Sequence, residues 1–292
     1  MIEILKAVLY GIVEGITEWL PVSSTGHLIL LDEFLSLNVS PDPVFRAEFG
    51  QMFEVVIQLG AILAVAVSFF KVLWPFGSSK SAAEKKSTWR LWLNICIASV
   101  PAAAVGIVLD KIIENATGKD IDGWIYNATV VASALIIYGI LFIVIERVRK
   151  DKTPVITSVH DIKPRHAICI GIFQMLEIIP GTSRSGSTIL GSMMLGLSRG
   201  AAAEFSFFLA IPAMAGASLL KGLGFVSYVA ESGAEVSFTA IAVLLVASLT
   251  AFLVSMAAIK FLTDFVKKHS FAAFGYYRIA LGAAVLLWFI LN

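Results

Sequence analysis

Six stretches of this chain, 51–70, 91–109, 124–145, 201–220, 238–259 and 271–291, are apolar over about the length that crosses a bilayer. A hydrocarbon core roughly 30 Å thick needs about 20 residues of helix, and these runs do not alternate as barrel strands do. Lipid offers the backbone no hydrogen-bond partners, so each run must satisfy itself as a helix. The chain has 292 residues, 58% hydrophobic and 15% charged. Its mean hydropathy is +0.86. Soluble domains are nearer half apolar and a quarter charged, so the composition agrees with an all-α polytopic membrane protein. Glu3, Glu14 and Glu18 interrupt any leader-like core, so no signal peptide is expected. Cys96 and Cys169 lie in apolar segments without metal spacing and read as packing residues. A net charge of +1 gives no reason to expect nucleic acid as a partner.

Two further apolar stretches are broken by proline and polar residues. The first runs from Glu14 through Glu18, Pro21, Ser23, Ser24, Thr25 and Gly26 to His27. The second runs from Gln174 through Glu177, Pro180, Gly181 and Ser183-Arg184-Ser185-Gly186-Ser187-Thr188. With Pro21 aligned on Pro180, a glutamate lies three residues before each proline and a serine three residues after. Residues 2–20 carry too many charges for a lipid-facing helix, and 24–37 are too short to span. Together they predict a re-entrant hairpin, tolerated where it is buried in protein or lines water. The alternative is an ordinary first span over 2–20. Arms at 165–179 and 189–197 flanking the break at 180–188 predict a second hairpin.

Each half, about 1–150 and 160–292 of one membrane domain, then holds one hairpin and three crossings. Three crossings leave the chain on the opposite side, so the second half is inverted relative to the first. The hairpins would meet tip to tip and bring His27 and Arg184 together. Lys71, Lys80, Lys85, Lys86 and Arg90 after the first span, and Arg147, Arg149, Lys150, Lys152, Lys163 and Arg165 after the third, mark one face as cytoplasmic. Arg199, Lys260, Lys267 and Lys268 share it, whereas the other face has only Arg46, Lys111, Lys119 and Lys221. Both termini and the first hairpin's entry would therefore be external.

Glu14 and Glu18 are four residues apart on one helix face, where two carboxylates repel unless a cation lies between them. A divalent cation or an arginine would resolve this; the plain alternative is a face open to external water. Hydroxyls at Ser23, Ser24 and Thr25 ordinarily cap a helix, yet an exposed N-terminus with Gly26 also accepts an anion. His27, a turn in, can move a proton or attack phosphorus near neutral pH. Arg184 at membrane depth is costly and needs an anionic partner. Its planar fork suits phosphate oxygens, and Ser183, Ser185, Gly186, Ser187 and Thr188 add donors and close backbone approach. The alternative is a salt bridge to Glu177 or Glu18. Gly181 and Gly186 have no following lysine, so this is no Walker loop.

These motifs, with Phe53-Glu54-Val55-Val56-Ile57-Gln58-Leu59-Gly60 and Glu204-Phe205-Ser206-Phe207, resemble the bacterial undecaprenyl-pyrophosphate phosphatase family associated with bacitracin resistance. The resemblance covers essentially the whole chain. It implies hydrolysis of a polyprenyl pyrophosphate lipid in the bacterial cytoplasmic membrane, a site opening to the outside, Mg²⁺ or Ca²⁺, and a homodimer. It also implies roles: Glu14 and Glu18 at the metal or in acid–base work, Ser24 and His27 as nucleophile and proton-transfer candidates. Ser183 and Arg184 match the phosphate-binding pair, with Thr188 adding a hydroxyl. Glu54 and Glu204 would brace the hairpins from behind. The rival class is a flippase of a polyprenyl phosphate lipid, since inverted repeats with broken helices are also transporter architecture.

Overall fold

The computed structural model describes residues 1–117 and 127–291. Its elements are α1 (Ile2–Thr17), α2 (Ser24–Leu35), α3 (Pro43–Val56), α4 (Gln58–Ser68), α5 (Ala82–Thr117), α6 (Ala128–Arg149), α7 (Pro164–Gln174), α8 (Arg184–Met194), α9 (Arg199–Ser232), α10 (Phe238–Lys268) and α11 (Ala272–Leu291). Among the described residues, six segments are long and apolar enough to cross a membrane: Pro43–Ser68, Ala82–Ile113, Thr129–Arg149, Arg199–Ser232, Phe238–Lys268 and Ala272–Leu291. The protein is a multi-pass, all-α membrane protein. α1 is not among the six: it has 16 residues, about 24 Å of helix at 1.5 Å per residue. The short α1–α2 and α7–α8 pairs, each joined at a polar break, fit the two expected re-entrant hairpins.

Several boundaries differ from the sequence expectation. The first span starts at Pro43 rather than 51, because Asp42 caps it by accepting from the Val44 amide at 2.9 Å and Pro43 takes the first turn. It breaks at Ile57, where α3 gives way to α4. Lys85, Lys86 and Arg90 stand in the first turns of α5 rather than in a loop. Apolarity underestimates these helices because long basic side chains let polar turns continue past the hydrocarbon. The expected span 124–145 begins outside the described residues, as does Lys119. Cys96 is exposed on α5, so it is not the packing residue expected.

The described chain forms two compact units. The first comprises Met1–Trp19, His27–Phe70 and Ala210–Lys260. Its apolar core joins Tyr10, Phe45, Phe49, Phe53 and Ile57 to Ala240, Val243 and Ala247. α1 lies directly on α10: a Cβ at Gly11 would stand 2.5 Å from the Ala247 carbonyl oxygen, and one at Gly15 2.9 Å from that of Ala251. Small residues are what let helix backbones approach this closely in lipid, where burial of apolar surface drives nothing. Tyr10 donates to Asp32 at 2.6 Å, holding α2 against α1.

The second unit comprises Leu20–Gly26, Lys71–Leu209 and Phe261–Asn292. Here α6 and α11 cross backbone to backbone: Cβ atoms at Gly139 and Gly275 would meet the other's carbonyl oxygen at 2.7 and 2.6 Å. Gly171 places α7 equally close to Ala98 of α5. Glu146 accepts two bonds from Arg199, at 2.8 and 2.6 Å, and one from the Phe271 amide at 2.8 Å, fixing the start of α11. Both polar breaks belong to this unit.

Candidate active site

At the first break the chain turns at Leu20–Val22, with the Val22 amide donating to Leu20 at 2.7 Å. Ser23 then adopts φ 74°, and its Oγ accepts from the Gly26 amide at 3.3 Å, capping α2. At the second break α7 tightens into a 3₁₀ turn, Met175–Ile178, and Gly181 turns the chain at φ 93°. The Thr182 hydroxyl lies 2.8 Å from the carbonyl oxygens of both Leu176 and Ile179, closing the end of the first arm. Ser183 adopts φ 70° and its Oγ accepts from the Gly186 amide at 3.2 Å, capping α8.

The two breaks therefore repeat the same cap. Its registers pair Ser23 with Ser183 and Gly26 with Gly186, so the second break is one residue longer between proline and cap. This corrects the proline-based alignment, which pairs Ser24 with Ser183. The only non-glycine residues with positive φ among those described are these two serines. Such a conformation costs on the order of 1–3 kcal/mol and persists where the surroundings fix it.

What fixes it is Arg278 of α11, a fully buried side chain. Its Nη1 donates to the Pro21 carbonyl at 3.0 Å, and its Nη2 to those of Gly181 at 2.6 Å and Thr182 at 2.9 Å. One guanidinium thus holds both breaks, which meet on it. The Tyr138 ring of α6 lies 5.4 Å from its centre, and the Tyr138 hydroxyl accepts from Ser187 at 3.2 Å. Arg278 is not among the residues singled out above. Its signal was an arginine inside the apolar run 271–291, where an ionisable group is functional by default.

Arg184 begins α8, and its Nη1 donates to the Ser206 carbonyl at 2.6 Å. Ser183 and Ser185 pair through their hydroxyls at 3.0 Å. Ser187 and Thr188, expected to contact phosphate, are fully buried. Ser187 donates to Tyr138, and the Thr188 hydroxyl reaches Ser206 Oγ at 2.7 Å and the Arg184 carbonyl at 2.9 Å. In this structure both hydroxyls brace α8. Ser206, two residues beyond Glu204, is the member of that motif that meets the second break.

Glu14 and Glu18 are buried at 0% and 5% exposure, with the Glu18 amide bonded to the Glu14 carbonyl at 3.0 Å, one helical turn back. With His27 and Glu54 they belong to the first unit, whereas Ser23, Ser24, Thr25, Gly26 and 183–188 belong to the second. Two buried, oxygen-only acceptors on one face fit a hard divalent cation. No group of three or more His, Cys, Asp or Glu that could cage a metal occurs among the described residues. Any such ion would take most of its ligands from water and substrate. Beside the second break, Val105, Leu109, Ile172, Phe173, Met175, Leu176 and Ile178 line an apolar groove of about 350 Å³.

A helix start carries the positive end of the helix dipole, which favours an anion. With Arg184 at one start and a buried guanidinium bonded to both breaks, the fold defines a multi-pass membrane protein whose two polar helix starts are gathered on one side chain. The chain belongs to the bacitracin resistance protein BacA family, whose model matches residues 7–284. It is 50% identical to undecaprenyl-diphosphatase 1 of Clostridioides difficile, over 100% of this chain and 98% of that protein. It is also 51% identical to the undecaprenyl-diphosphatase of Lachnoclostridium phytofermentans, over 99% and 98% of the two lengths.

Proposed function

We propose that the protein hydrolyses undecaprenyl diphosphate to undecaprenyl phosphate and inorganic phosphate, recycling the lipid carrier of cell-wall synthesis and thereby conferring bacitracin resistance. The observation that carries this reading is the pair of capped helix starts held on one guanidinium. In-line phosphoryl transfer needs positioning and charge stabilisation more than covalent chemistry, and two donor-rich starts supply both. The helix starts at Ser24–Thr25 and at Arg184–Ser185, with the Arg184 fork, receive the pyrophosphate oxygens, the Gly26 and Gly186 amides being held by the serine caps.

Ser24 and His27 lie three apart on α2 and share a face. In one version Ser24 Oγ attacks the terminal phosphorus while His27 accepts its proton; in the other His27 attacks directly. Either way the P–O bond to the bridging oxygen breaks and undecaprenyl phosphate leaves. Water then cleaves the phosphoenzyme to release inorganic phosphate. Glu14 and Glu18 would hold Mg²⁺ or Ca²⁺, which when bound neutralises phosphate charge. The prenyl chain follows the groove bordering Met175–Ile178. The site opens to the outer face of the bacterial cytoplasmic membrane, and copies pair as homodimers. The flippase reading draws no support from the relatives, whose names are those of hydrolases.

The test is phosphate release from a C55 prenyl diphosphate in detergent, with and without EDTA, for the unsubstituted protein and Arg184→Ala. Metal-dependent release that Arg184→Ala abolishes supports the assignment. Absence of release from folded protein overturns it.

A further inference from the structure

We propose that Arg278 is the positioning residue of the phosphatase site, the single group that keeps the two helix starts in register with each other. The inference rests on the hydrolase reading above. It starts from the imbalance at this side chain: a fully buried guanidinium makes no ion pair among the described residues and leaves Nε without a hydrogen-bond partner. A buried cation without a carboxylate is costly. An apolar side chain in its place would leave the Pro21, Gly181 and Thr182 carbonyls without this donor.

What Arg278 does instead is directional. Its planar fork reaches two nitrogens toward two segments distant in sequence, accepting geometry that a lysine's single ammonium cannot reproduce. Pro21 stands two residues before the Ser23 cap, and Thr182 immediately before the Ser183 cap. Holding these carbonyls fixes the direction in which the next amides point, in a conformation that both serines adopt under strain. Gly186 makes room for it: a Cβ there would stand 3.2 Å from Arg278 Nη1.

The test is a double-mutant cycle in kcat with Arg278→Lys and Arg184→Lys, alongside melting temperatures and the unsubstituted protein in the same assay. If Arg278 positions the start that carries Arg184, Arg278→Lys lowers kcat by about 30-fold alone and by less than about threefold once Arg184 is lysine, since coupled groups are non-additive. Gly186→Ala, which presses on Nη1 and on the Ser183 cap without removing the charge, is expected to lower kcat about tenfold with KM within about twofold. It stands in should Arg278→Lys fail to fold. Effects that multiply in the cycle, or a Gly186→Ala protein of normal kcat, overturn the proposal. In that case release by the unsubstituted protein, lost in Arg184→Ala, leaves the hydrolase reading intact. No release from any variant would sink that reading first.

Discussion

At the first break the strained serine is followed by Ser24, Thr25 and Gly26; at the second, by Arg184, Ser185 and Gly186. Both serines sit at positive φ, both cap the glycine three residues on, and both are preceded by carbonyls held on Arg278. The frame is shared, while the residue immediately after the cap differs: a small hydroxyl in one, a long cation in the other. Under the proposed function, that difference divides the labour. The first break presents a group able to attack phosphorus, and the second a group able to hold the charge that develops on it.

The comparison is broken most readily at that differing position. Arg184→Ala is expected to lower kcat/KM by roughly 10²–10³-fold, the usual consequence of removing one transition-state donor, with the fold retained by circular dichroism. Ser24→Ala is expected to abolish formation of a covalent phosphoserine, if Ser24 attacks, while leaving binding of a non-hydrolysable diphosphonate within about threefold. Arg184→Ala should instead weaken that binding. Equal effects of the two substitutions on diphosphonate binding would remove the proposed division of labour.

The shared frame gives a smaller effect. Ser23→Gly and Ser183→Gly each relieve positive-φ strain at the cost of a cap that glycine replaces within a few tenths of a kcal/mol. Each is expected to leave the melting temperature unchanged or slightly raised while lowering kcat about tenfold. A substitution that lowers both would show that the strained serine serves stability. The smallest effect belongs to the groove beside the second break. Ile172→Trp is expected to raise KM about threefold for a C55 substrate and leave KM for a C15 substrate unchanged, because the short chain has less apolar surface to seat there. Equal changes for both chains would exclude the groove as the tail's path.

Much of this was legible in the chain. Apolar runs with few charges announce spanning helices, because lipid permits little else, and proline between short apolar arms announces the two breaks. The hydroxyls of the breaks were legible as helix caps. The cap register was not. Proline is a conspicuous landmark, but the one-residue difference between Pro21–Ser23 and Pro180–Ser183 shows only in the backbone angles and in which amide each Oγ receives. Arg278 lies almost a hundred residues from the nearer break, and no local pattern ties it to Pro21 or Gly181. Its position inside an apolar run was the available sign. The roles of Ser187, Thr188 and Ser206 depend on contacts between helices that spacing alone does not specify.

The most direct test of the central claim is an experimental structure with a prenyl methylene-diphosphonate bound. The account expects phosphonate oxygens within hydrogen-bonding distance of both helix starts, Ser24–Thr25 and Arg184–Ser185, with the Arg184 guanidinium on one of them and Arg278 still holding both breaks. A diphosphonate seated on one start alone, or bound away from both, would contradict it.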